Sequence, residues 1–263
     1  MTTRTLRLTL AYDGTEFHGW QRQPILPTVQ GLVAGACERI LGTATRVIGA
    51  SRTDAGVHAL RQVASLATTS AIDPPALQRG LNALLPSAIR VLDALEAPAG
   101  FDARRSARGK RYAYVLDCGA CADPFLRRYA WHVPWQLDAT AMARALHAVK
   151  GKNDFSAFCA AAGRGRTPVC TVRATRLVTR KSRMVVLISA DSFLHHMVRN
   201  LVGTLVEIGR GAESPEWMAE LIEGRDRTRS GPTAPPQGLV LVRVMYPSSP
   251  ATDGSDRTNR RVG

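Results

Sequence analysis

Lysine is nearly missing from this 263-residue chain. Of its 35 basic residues only Lys110, Lys150, Lys152 and Lys181 are lysine, and the other 31 are arginine. Acidic residues are also short, 21 against 35, which leaves a net charge of +14. An arginine-rich excess points to a polyanion partner, because the guanidinium fork meets phosphate through two hydrogen bonds. No uninterrupted apolar run reaches ~18 residues, which excludes a conventional membrane-spanning helix. No strongly amphipathic basic helix favours a membrane surface. The first ten residues alternate polar and apolar side chains and lack the apolar block of a signal peptide, so a cytoplasmic protein is expected. The cysteines number five, an odd count that suits reduced thiols. Cys118 and Cys121 form a C-x-x-C, but Cys159 and Cys170 have the wrong spacing for a second zinc half-site. Asp123-Pro124 follows where a redox helix would begin, so the pair reads as two turn cysteines. No dinucleotide-binding glycine loop is present, since Gly163-Arg164-Gly165 runs into Arg166-Thr167-Pro168 and no helix.

What is there reads as two α+β halves. Leu6, Leu8 and Leu10 alternate along a strand over 4–11. Thr28 caps a helix that runs to Leu41, with apolar residues at helical spacing. A short strand near 46–48, another over 62–68, an Asp73-capped helix to Leu85 and a strand over 89–95 complete a β-α-β-β-α-β order. That order is the ferredoxin-like arrangement. A basic stretch, 104–111, marks the join. Beyond it the pattern predicts strands over 112–116, 129–133, 172–179 and 184–191, a helix from Asp138 to Val149, a helix over 193–208, a helix opened by Ser214-Pro215, and a closing strand over 239–246. The fold class expected is α+β, with two ferredoxin-like, RRM-like halves, antiparallel sheets and a cleft between them. The expected divisions are 1–106, 107–247 and a disordered tail over 248–263.

One segment stands apart chemically. Gly49 to His58 is a small-residue loop between strands with a single carboxylate, Asp54. Arg52, two residues earlier, is placed to keep that carboxylate charged and oriented. The alternative is an Asx-turn, with Asp54 bonding the amides of Ala55 or Gly56. In 193–208 the helical wheel puts His196, Arg199 and Gly203 opposite the apolar face, so Arg199 is not a core residue. His195 and His196 would then sit ~100° apart on that helix, with no acidic or sulfur ligand one turn on, which argues against a metal pair.

Eight segments together resemble one family. Arg52-Thr53-Asp54-Ala55-Gly56-Val57-His58-Ala59 resembles the core motif of the TruA-type tRNA pseudouridine synthases. Tyr12 to Gln23, Phe101-Asp102-Ala103-Arg104 with Ser106, Lys110 to Tyr114, Asn153 to Ser156, Arg166-Thr167-Pro168, Phe193 to Gly203 and Gly238 to Leu241 resemble further segments in the family's order. The resemblance spans about 6–247. It implies an isomerase that breaks the glycosidic bond of a uridine and rejoins the base through C5, with no cofactor and no metal. It implies Asp54 as nucleophile, Arg52 as its ion partner and phosphate contact, and Arg199 as a cation lining the cleft and pairing with Asp54. Tyr112 would stack on the target base, with Tyr114 the next candidate, and Leu239 would pack beneath the carboxylate. Arg22, Arg104, Arg105, Arg108, Lys110, Arg111, Arg164 and Arg166 are candidate contacts to the RNA backbone. The implied partners are the tRNA anticodon stem-loop, modified at positions 38 to 40, and a second copy of the chain. Ser51 and Val240 depart from residues common in the family, glycine and an aromatic. A non-catalytic RNA binder on the same fold, a pseudouridine synthase of another family and a metal-dependent nuclease are the rivals. The first would not require Asp54, Arg52 and Tyr112 together, and the last needs clustered carboxylates.

Overall fold

The computed structural model describes residues 2–160 and 167–247. Arg164, Arg166 and the expected tail lie outside the described residues. The first half runs β1 (Arg4–Tyr12), α1 (Val29–Leu41), β2 (Ile48–Gly49), β3 (His58–Thr68), α2 (Pro74–Leu84) and β4 (Ile89–Glu96), which is the order expected. The second half runs β5 (Gly109–Asp117), β6 (Trp131–His132), α3 (Ala139–Ala148), β7 (Gly151–Asp154), β8 (Val169–Arg180), β9 (Arg183–Ala190), α4 (Met197–Gly209), α5 (Trp217–Gly224) and β10 (Leu239–Met245). β1 follows from its alternation, which sends Leu6, Leu8 and Leu10 fully into the core. Each such leucine contributes about 1.5–3 kcal/mol relative to exposure. Thr28 accepts a hydrogen bond from Gly31 N at the start of α1, and Gly42 ends it at φ 69°. Asp138 caps α3 by accepting from Thr140 N and Ala141 N.

The α+β reading holds, and the sheets of the two halves join edge to edge. The main path of the ten-stranded sheet is β4-β1-β3-β10-β5-β9-β8-β7, with β2 on β3 and β6 on β5. Most pairing inside each half is antiparallel. It is parallel where β10 meets β3 and where β6 lies along the end of β5. β10 pairs Val240 with His58 on one side and Leu241 with Tyr112 on the other. A strand far along the chain thus sets the start of β3 beside the middle of β5.

Two expectations shift. The strand over 129–133 shrinks to Trp131–His132, because 124–129 turn on themselves through Leu126 N to Asp123 O and Tyr129 N to Leu126 O. The helix expected from Phe193 begins at Met197, with His196 in the left-handed region at φ 62°. Residues 193–196 are therefore an irregular entry, and the wheel drawn through them does not apply to the two histidines.

Once formed, α4 is buried almost all round. Its polar side is covered by the 227–234 loop. Arg227 donates to Ser230 Oγ at 2.8 Å, Asn200 Oδ1 at 3.1 Å and Thr233 Oγ1 at 3.0 Å, and Gly231 N donates to Thr204 Oγ1 at 3.0 Å. Hydrogen bonds to a charged donor contribute about 1.5–3 kcal/mol each. The loop approaches so closely that a Cβ on Gly203 would lie 1.7 Å from Pro232 O. Gly203→Ala is therefore expected to destabilise the protein by about 1–3 kcal/mol, the usual range for overpacking. Denaturant titration checks this, and an unchanged midpoint would mean the loop is not seated on α4.

Candidate active site

The loop between β2 and β3 is held from both sides. Trp20 N donates to Thr53 O at 3.0 Å, Gly56 N to Phe17 O at 3.3 Å, and Val57 N to Asp54 O at 3.1 Å. Tyr12 and Thr53 share a buried hydroxyl contact of 2.9 Å. Gln62, fully buried on β3, brackets Ser51: its Nε2 donates to Ser51 O at 2.7 Å and its Oε1 accepts from Ser51 N at 3.2 Å. At the loop's exit His58 Nδ1 accepts from Gly14 N at 2.9 Å, which leaves Nε2 to donate to Gln237 O at 3.1 Å. These contacts fix the direction of Asp54 without using its side chain.

Asp54 faces a cleft of about 860 Å³ shared by the two halves. Its carboxylate meets Arg199 Nη1 at 3.2 Å, His196 Nε2 at 3.4 Å and His195 Nε2 at 3.5 Å. Arg199 is oriented by donating from Nε to Ala234 O at 2.7 Å, an acceptor on the loop that covers α4. The Asx-turn alternative fails, because the side chain reaches across the cleft to these three partners. Arg52 is a correction. It is exposed on the cleft wall, and among the described residues no ion pair joins it to Asp54. Arg199, pre-aimed by Ala234 O, takes the carboxylate oxygen from the opposite wall, and Arg52 turns to solvent.

Tyr112 lines the same cleft, only 5% exposed, with its hydroxyl 2.8 Å from Ser51 Oγ. Its ring meets Phe193 edge-on at 5.0 Å between centroids. Burial pushes the phenol up to about 12, and the Asp54 charge pushes the same way, against the Ser51 hydrogen bond. Leu239, the first residue of β10, lies on the cleft wall. Tyr114 is fully buried, donates to Pro235 O at 2.7 Å and closes over Gly238, so it is a core residue with no access to a base.

Of the eight cationic candidates, Arg104 and Lys110 line the cleft. Lys110 shares a β5 face with Tyr112, and Arg111 points to the other face, where it donates to Ser189 Oγ at 2.9 Å. Arg105 and Arg108 are exposed near the join, and Arg22 is exposed in a loop pinned by Arg22 N to Gln30 Oε1 at 2.8 Å. Arg164 and Arg166 are outside the described residues. No disulfide joins the five cysteines, and Cys118 and Cys121 lie in the turn after β5.

The sequence reading missed the histidine pair. Its rings lie 3.9 Å apart, and donor atoms of Asp54, His195 and His196 all fall within 4.8 Å of one another. The helical-spacing argument against a metal pair thus does not hold, although the fixed positive charge of Arg199 opposes a cation there. Burial lowers His196 below the ordinary imidazole value. Asp54 alone opposes this, while His195, Arg199 and Arg227 add to the lowering. Replacing Asp54 by Asn should therefore lower His196 further, and Arg199→Ala should raise it. An NMR titration of the imidazole reads both signs, and an unmoved His196 in Asp54→Asn would show that the carboxylate contact is absent in solution.

The profile of a family described as tRNA pseudouridine synthase matches residues 9–104 and 145–247. A tRNA pseudouridine synthase A of Myxococcus xanthus is 43% identical over 246 residues, covering 93% of each chain. Proteins of the same name from Moorella thermoacetica and Caldicellulosiruptor bescii are 44% and 40% identical over 243 residues, 92% of this chain and 99% and 100% of theirs.

Proposed function

Because the chain belongs to the tRNA pseudouridine synthase family and is an isomerase acting on uridine in tRNA, we propose that its target is the anticodon stem-loop at positions 38 to 40, with Asp54 as the nucleophile. The observation that carries the site assignment is the single carboxylate held by Arg199 across a cleft walled by Tyr112 and Leu239. Asp54 attacks the sugar or the base as the N1–C1′ bond breaks. Arg199 aims the carboxylate across the cleft. The flipped uracil stacks on Tyr112, an interaction of about 1–3 kcal/mol per base. Leu239 excludes water while the base is detached.

The reaction rearranges bonds within one nucleotide, so it needs neither redox cofactor nor metal. Three neighbouring positions in many tRNAs are reached by reading RNA shape and backbone. Arg52, Arg104 and Lys110 on the cleft wall suit phosphate contacts, with Arg22, Arg105 and Arg108 extending the basic surface; Arg111, on the other face of β5, has a separate role or none. Arg164 and Arg166 join this set from their match to the family alone. The family resemblance also supports a homodimer and a cytoplasmic location, which sedimentation and fractionation test.

Mass-spectrometric mapping of pseudouridine in tRNA, from cells with and without this protein, tests the target. Loss confined to positions 38 to 40 is expected, and loss elsewhere would overturn the assignment. Asp54→Asn should abolish turnover while tRNA affinity stays within a few-fold, since binding rests on many separate phosphate contacts. Retained turnover in Asp54→Asn would remove Asp54 from the mechanism. Affinity should also fall steeply with monovalent salt as counterions are released, and a flat response in a filter-binding titration would contradict a backbone-reading cleft.

A further inference from the structure

The reaction must dispose of a proton. After C5 bonds to C1′ it carries a hydrogen that has to leave before the ring regains its C5–C6 double bond. Tyr112 lines the cleft as the aromatic side chain proposed to stack on the base, and its oxygen is a candidate to receive that hydrogen. Yet the phenol is held protonated by burial and by the facing Asp54 carboxylate. A protonated phenol takes a proton only if it gives one up at the same moment.

The partner for that exchange is Ser51. Ser51 Oγ lies 2.8 Å from Tyr112 Oη, and Ser51 itself is half-exposed on the cleft wall. Its backbone is clamped on both sides by the fully buried Gln62, so the hydroxyl is presented to Tyr112 by a rigid support. One side of Ser51 thus touches the phenol and the other faces solvent in the cleft. Ser51 stands where the family resemblance leads one to expect glycine, which has no hydroxyl to offer.

We propose that Ser51 is the outlet for the C5 proton, passing it from Tyr112 to water in the cleft; this rests on the functional reading above. The C5–H bond breaks and its electron pair restores the C5–C6 double bond. Tyr112 Oη takes the C5 proton as its own O–H proton moves to Ser51 Oγ, and the Ser51 proton moves to a water molecule. The nitrogen released when the glycosidic bond broke takes a proton back from solvent, so the whole reaction neither gains nor loses one. Ser51 acts through Tyr112 and does not touch the base, which makes it a positioning and relay residue.

The test is single-turnover kinetics on tRNA carrying ordinary or 5-deuterated uridine, with wild type, Ser51→Ala and Ser51→Thr. Ser51→Ala should slow turnover by about 100-fold, the low end for positioned proton transfer. Its deuterium effect should exceed that of wild type, because proton removal becomes the slow step, and tRNA affinity should stay within two- to three-fold. Ser51→Thr, which keeps a hydroxyl, should return to within a few-fold of wild type. A Ser51→Ala rate within two-fold of wild type would overturn the proposal. A slowed Ser51→Ala with an unchanged deuterium effect would also overturn it, by assigning the loss to another step. Failure of the functional reading looks different: wild type itself would leave the C5 deuterium in place.

Discussion

Everything in this molecule depends on one strand lying between two others. β10 pairs in parallel with the start of β3 and antiparallel with the middle of β5. Without it the Asp54 loop and Tyr112 belong to separate halves with no common frame. With it, Val240 sits opposite His58, Leu241 opposite Tyr112, and Leu239 lands on the wall between them. The backbone hydrogen bonds of the joint are ordinary. Their value is positional, because a sheet fixes the separation of its strands to within tenths of an ångström.

The second constraint is the burial of a polar helix face. α4 places Asn200, Gly203 and Thr204 where water cannot reach them. The 227–234 loop supplies the missing partners through Arg227, Thr233 and the Gly231 amide. The same loop offers Ala234 O to Arg199. A requirement of stability, that buried polar groups be bonded, thereby aims the cation that meets the carboxylate. The stability of α4 and the geometry at Asp54 are two outcomes of one set of hydrogen bonds.

Much of this was legible in the sequence, and the misses have physical causes. β1, α1, β3, α2 and β4 carry strong periodicities and cap or turn residues such as Thr28, Asp73 and Pro86, and all appear at or near their expected places. β7 went unread because four residues at a sheet edge, Gly151–Asp154, show no alternation. The start of α4 was misjudged because Phe193 and Leu194 continue the apolar spacing of the helix while serving the cleft instead. That error concealed the contact of both histidines with Asp54, since an assumed helix sends neighbouring side chains apart. Arg52 was favoured as partner to Asp54 for its nearness in sequence. Arg199, 145 positions away, was expected at Asp54 from the family resemblance alone, since local spacing carries no trace of it, and it is the arginine that meets the carboxylate. The Ser51–Tyr112 hydroxyl pair was invisible for the same reason.

The position of β10 in the chain also has a consequence on the ribosome. Every other strand of the sheet precedes it in sequence. While the chain is being made, β3 and β5 each present an open edge where β10 will later lie, and open edges invite pairing with other chains. At about 5–20 residues per second, the interval between the emergence of β5 and of β10 is on the order of ten seconds. During that interval the nascent protein holds its Asp54 loop and Tyr112 on two unjoined surfaces. The cleft comes into being only as β10 slots in between them.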